Sequence, residues 1–181
     1  MAVPHDLVPE LETLVGLFHP SLESVGRFSE SEAEELPPVA RKLLAHRHHM
    51  TVTLEQHHGT AVDVTAVQKR TDANGYAREI LLARQSDGVV VQYGIMRVRL
   101  EFLNEPVRKK ITGEVAPLGR ILIEHNVHRR ISLFSLWKVE PSPYLADLMQ
   151  LEPTHTVYGR TALIYCDDVP AVELLEVVTA S

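Results

Sequence analysis

Residues 74–100 read NGYAREILLARQSDGVVVQYGIMRVRL. Asn74-Gly75 is a hairpin signal, because a two-residue turn needs positive φ at its centre and these residues tolerate it. Tyr76 to Ala83 then reads as a strand, Asp87-Gly88 turns the chain, and Val89 to Leu100 reads as the next strand. Strands joined by so short a turn pair antiparallel, since a parallel pair needs a crossover of about a dozen residues. This meander decides the fold class.

Upstream of it, Ala61 to Gln68 alternates apolar and polar residues, and His57-His58-Gly59 reads as the turn before it. Met50-Thr51-Val52-Thr53-Leu54 also alternates and reads as a first strand. Residues 1–49 read as helical and loop-rich. Leu7, Leu11, Leu14, Val15 and Phe18 make a helical stripe that His19-Pro20 ends. An acidic patch, Ser29 to Glu35, reads as a solvated loop or helix start, and Pro37-Pro38 precedes a short helix from Val39 to His46.

Downstream, Arg108-Lys109-Lys110 marks a surface helix or loop, and Pro117-Leu118-Gly119 is a turn before the apolar stretch Arg120 to Asn126, helical or mixed. Ile131 to Val139 is strand-like and holds Trp137; Pro141-Ser142-Pro143 breaks it, and Tyr144 to Leu151 is a short helix. Val157 to Tyr165, the turn Asp167-Asp168, and Pro170 to Val178 form a closing hairpin. The order predicts an α+β domain on a single antiparallel β-sheet with flanking helices. Residues 1–49 belong to the same domain as 50–181.

The chain has 181 residues, 45% of them hydrophobic and only 9 glycines, enough for a substantial core. Its formal charge of −6 excludes a basic field for nucleic acid, and residues 1–49 contain no basic recognition helix. One cysteine, Cys166, excludes an internal disulfide framework and lies in an apolar run, as a core residue. No long apolar run or basic-then-apolar leader stands out, so the reading is cytoplasmic, with no membrane partner. A monomer or a homodimer fits equally.

Ten histidines raise the question of a metal. His46, His48, His49, His57 and His58 are mostly adjacent, and neighbours on a strand face opposite ways, so a surface cluster is the expectation and a metal site the alternative. No phosphate-binding glycine loop or serine elbow is present. The turn before Arg120 exposes N–H groups that can bind a carboxylate or a phenolic oxygen. Arg78 interrupts an apolar strand, a place that is ordinarily solvent-facing. Glu173 and Glu176 lie three apart on the last strand, so at most one faces the interior. A carboxyl facing an apolar cavity can act as a proton donor near neutral pH.

Taken together, these residues resemble chorismate lyase and the wider chorismate-lyase-like fold family. The resemblance runs from about Met50 to the C-terminus. It rests on Met50-Thr51, Arg78-Glu79-Ile80-Leu81-Leu82 followed by Asp87-Gly88, Gly94, Pro117-Leu118-Gly119-Arg120, Gly159-Arg160, and a glutamate in the last strand. It implies a ligand cavity buried under helical flaps. It implies that Arg78 pairs with the ring carboxylate of chorismate or 4-hydroxybenzoate, a bidentate task that suits guanidinium. Met50 and Leu118 would bond the ligand through main-chain groups, and Glu176 would bond the 4-oxygen. The implied reaction releases pyruvate and aromatises the ring, with no metal or redox cofactor. In the family the glutamate stands five residues after the strand's opening proline. Here that place is Leu175, and Glu176 is one further on; a β-bulge or a shifted register would restore its facing, and Glu173 is the alternative. Ile95 replaces a basic residue that usually follows the glycine matching Gly94. The same fold also serves as the effector domain of transcription regulators, so the second reading is a small-molecule sensor or binding module for an aromatic carboxylate.

Overall fold

In a computed structural model, which describes residues 7–73, 75–113, 116–152 and 154–180, seven antiparallel strands form one sheet. The strands are β1 (Gly26–Ser31), β2 (Val62–Asp72), β3 (Gly75–Arg84), β4 (Val90–Val98), β5 (Arg129–Pro141), β6 (Val157–Cys166) and β7 (Val169–Val178). Their spatial order is β1-β5-β6-β7-β4-β3-β2. The meander β2-β3-β4 is therefore one half of the sheet, and β7, last in sequence, lies in the middle. Asp167 and Asp168, both at positive φ (49° and 64°), make the tight turn from β6 to β7.

Helices cover both faces. On one face, α1 (Leu11–Val15) and α6 (Pro143–Leu148) pack Leu11, Leu14, Val15 and Leu145 onto Tyr93, Ile95, Leu175 and Val177. On the other lie α2 (Pro38–Leu44), α3 (Met50–His58), α4 (Glu105–Thr112) and α5 (Leu118–Glu124). Leu43, Leu44, Met50 and Leu54 cover Ile80, Leu82 and Val178. Val107, Ile111, Ile121 and Leu122 cover Met96, Val172 and Leu174. Period-2 alternation along β4 and β7 feeds these two cores in turn.

Four expectations are corrected. Met50 to Leu54 is the start of a helix, not a strand: its buried residues are Met50, Thr51 and Leu54, an i, i+1, i+4 pattern that fits only a helix. His57 and His58 are the last turn of that helix, and Gly59 caps it in the left-handed region (φ 66°). The helix expected from Leu7 to Phe18 is shorter, Leu11–Val15. Residues 1–49 are not all helical, because Gly26–Ser31 is an edge strand paired to β5. Its outward residues are polar, which hid it, and charged edges also discourage pairing with another chain. Asn74, Glu114 and Val115 lie outside the described residues.

Candidate active or binding site

The sheet face under α3 and α5 is not completely filled. A pocket with about 540 Å³ of atom-free space, part of it open to solvent, lies there. Arg78, Glu176, Met50 and Leu118, the four residues singled out in the sequence, all line it.

Strand register explains why Arg78 and Glu176 share a face. Arg78 lies opposite Met96, and Glu176 opposite Gly94. Met96 and Gly94 are two apart on β4, so both partners point to the same side. Two strand spacings and two residues of offset separate their Cα atoms by roughly 12 Å. Between them sits Gly94, where a Cβ would come within 3.2 Å of the Leu175 carbonyl and 3.3 Å of Gln92 Nε2. The space above it stays open for a ligand.

Glu176 reaches this face through a bulge. Tyr165 pairs with Pro170 and Ile164 with Val172, leaving Ala171 as an extra residue in β7. That one residue absorbs the one-position displacement of the glutamate from the proline. Glu173 faces the other way, in a bidentate pair with Arg97 at 2.7 and 2.9 Å. Arg97 thus supplies no charge to the cavity.

The N-terminal residues of two helices form the opposite wall. His49, Met50 and Thr51 open α3, and Pro117, Leu118 and Gly119 open α5. Their first N–H groups lack intrahelical partners, and both helix dipoles place positive potential at this end. The two ends approach closely because position 119 is glycine: a Cβ there would lie 3.1 Å from His49 Cβ and 3.2 Å from Thr51 Oγ1. Arg120 holds the two helices in place, pairing with Glu55 and donating to the Val62 carbonyl at 3.3 Å, while Glu55 accepts from Val62 N–H at 3.1 Å.

Three polar residues of the site had no assigned role in the sequence reading. Arg160 is wholly buried and donates Nε to Glu176 at 2.6 Å. Its Nη atoms donate to the carbonyls of His46 (2.9 Å), His48 (3.1 Å) and Leu44 (3.4 Å). The loop from α2 to α3 is wrapped around this guanidinium. Gln92 and His49 line the cavity, and Gln92 Oε1 and His49 Nε2 are buried without a hydrogen-bond partner. Such atoms cost free energy unless a ligand or water meets them. The signal for Arg160 was its place inside an apolar strand, the same signal that marked Arg78.

The expected surface histidine cluster divides. His48 is exposed, but His49 is buried and His46 half-buried. Among the described residues no group of three His, Cys, Asp or Glu side chains could hold a metal. Burial, with the charge of Arg160 next for His46 and the charges of Arg129 and Arg160 for His49, pushes each imidazole down to about 4. An unfolded histidine takes up a proton below about pH 6.5 that these two refuse until about 4. Stability is therefore complete above about 6.5 and is lost as pH falls toward 4, by about 3 kcal/mol for the more buried His49. Thermal melts at about pH 7 and 4.5 should show this loss reduced in His49→Gln. An unchanged pH slope in that variant would refute the assignment.

No family model and no curated protein sequence matches the chain. Solved structures do match in fold. The effector domain of PhnF from Mycobacterium smegmatis superposes with a TM-score of 0.54 at 13% identity, covering 73% of this chain and 88% of that one. PhnF from the same organism superposes with a TM-score of 0.51 at 14% identity, covering 71% of this chain. This chain spans 62% of the length of that protein. The likeness is one of fold, a seven-stranded antiparallel sheet with flanking helices. Among the described residues no helix is long and apolar enough to cross a membrane.

Proposed function

We propose that the cavity binds a hydroxylated aromatic carboxylate, of which 4-hydroxybenzoate is the simplest, and that binding rather than turnover is the function. Arg78 takes the carboxylate and the apolar walls, Ile80, Leu82 and Leu174, take the ring. The free oxygen of Glu176 accepts from the hydroxyl. Main-chain N–H groups of Met50 and Leu118 bond the ligand from the helix wall.

The observation that carries this reading is the 2.6 Å bond from Arg160 to Glu176. A carboxylate held by a buried guanidinium is suited to accept a hydrogen bond and badly suited to give a proton to a departing ether oxygen. The likeness in fold to an effector domain supports the same reading. A second reading, chorismate lyase, draws on one observation: Arg78, Glu176, Met50 and Leu118, which the family resemblance names, all line one cavity.

One experiment separates them. The protein is incubated with chorismate while pyruvate and 4-hydroxybenzoate are followed, and 4-hydroxybenzoate is titrated calorimetrically. Saturable binding at one per chain without turnover is the expected result. Pyruvate and 4-hydroxybenzoate appearing together, and both lost in Arg78→Ala, would replace the binding reading with the lyase.

A further inference from the structure

A groove runs along the outside of the cavity wall, between the start of α3 and the start of β5. His49 and Ile131 line both the groove and the cavity, so the two adjoin there. The groove carries Arg47, Arg129 and Arg130, and Asp168 is its one carboxylate among the described residues.

These three cations lie together on a chain of net negative charge. Acidic residues outnumber basic ones, 24 to 18. Elsewhere Arg27, Arg84, Arg97, Arg120 and Arg160 each have a carboxylate partner. In the groove, none does among the described residues. Arg129 donates to the Val127 carbonyl at 3.0 Å. Arg130 donates to Ser132 Oγ at 2.9 Å and lies over the Tyr165 ring, 3.8 Å from its centre. The Arg47 guanidinium makes no hydrogen bond or ion pair among the described residues. A second observation lies where the two adjoin: the buried Nε2 of His49 has no partner. The charge of Arg129 also reaches His49 there.

We propose that the groove is an anion-collecting mouth for the cavity. An anionic ligand first meets Arg47, Arg129 and Arg130, then passes His49, which bonds it in transit, and ends on Arg78. The cavity part of this route rests on the carboxylate-binding reading above; capture of an anion by the groove does not. An acidic molecule repels an anionic ligand at long range, and a local cluster of cations at the entrance reverses the field where it matters.

Two measurements on the full chain test it. Inorganic phosphate is titrated while arginine Nε–H signals are followed by NMR. Saturable shifts at Arg47, Arg129 and Arg130, but not at Arg27, are expected; shifts that are absent, or equal at Arg27, overturn the groove as an anion site whether or not the cavity binds a benzoate. Association of 4-hydroxybenzoate is then timed by stopped flow. Arg47→Glu and Arg130→Glu should each slow association about 3- to 10-fold at low salt, with dissociation within about twofold, because entrance charges act on the encounter. The difference should vanish near 1 M salt, where screening acts within about 3 Å. Arg27→Glu, on the exposed edge strand β1, makes the same change in net charge and should leave association unchanged. Equal rates in all variants, or equal slowing in Arg27→Glu, overturn the mouth. If the wild type fails to bind 4-hydroxybenzoate while the phosphate shifts persist, the carboxylate-binding reading falls and the groove stands.

Discussion

Arg78→Ala is expected to lower the affinity for 4-hydroxybenzoate by at least about 100-fold. Arg78 is 1% exposed and opens on the cavity from the middle of β3. A ligand carboxylate brought there leaves water completely, and only a matched guanidinium offsets that cost. Removing the partner of a buried charge costs about 3–5 kcal/mol, and each 1.4 kcal/mol is about tenfold in the dissociation constant. Arg78→Lys should recover only part of the loss, because an ammonium cannot form the bidentate pair. Calorimetric titration of the three proteins measures this directly. An Arg78→Ala protein that binds within threefold of wild type would rule out the assigned pose.

Arg160→Ala should have the largest effect on stability. Its guanidinium is fully buried and serves one carboxylate and three carbonyls from a segment more than a hundred residues away in sequence. Deleting it leaves Glu176 buried beside an empty site and frees the α2–α3 loop. Breaking one side of a buried pair costs about 3–5 kcal/mol, which for a chain of this size lowers Tm by about 10 °C. The double variant Arg160→Met, Glu176→Met should recover much of the loss, since apolar packing replaces the pair without leaving a charge behind. Thermal melts of both variants decide the point. If Arg160→Ala melts within 2–3 °C of wild type, the guanidinium is not the anchor of this loop.

The half of the fold built from local turns was readable from residues. Tyr76 to Ala83, Val89 to Leu100 and the closing hairpin all appear as strands, because alternation and turn chemistry are short-range signals. Met50 to Leu54 was misread because two threonines and a valine favour strand while tertiary packing of Met50 and Leu54 favours helix. β1 was missed because an edge strand needs little apolar content, and Phe28 is its one large apolar residue. The site divides in the same way. Arg78 and Glu176 were singled out by the family resemblance; from the residues alone Arg78 read as solvent-facing, whereas it is 1% exposed. The choice between Glu173 and Glu176 depended on a single bulged residue, Ala171, that no local signal announces. His49 was unreadable: its burial arises only where α5 crosses α3 at Gly119.

The position of β7 has a consequence for how the molecule is made. It is the last strand in sequence and the central one in space, lying between β6 and β4. Until it is synthesised, the chain holds two half-sheets, each with an unpaired edge, and the loop at 44–48 waits for Arg160. At about 5–20 residues per second, the 116 residues between Leu44 and Arg160 take roughly 6–23 s on the ribosome. The β4 edge stays unpaired from the synthesis of Val98 until β7 follows β6, and that is when self-association is most favoured. A premature stop just before Val169 would leave both half-sheets, and the two sides of the cavity, permanently unjoined.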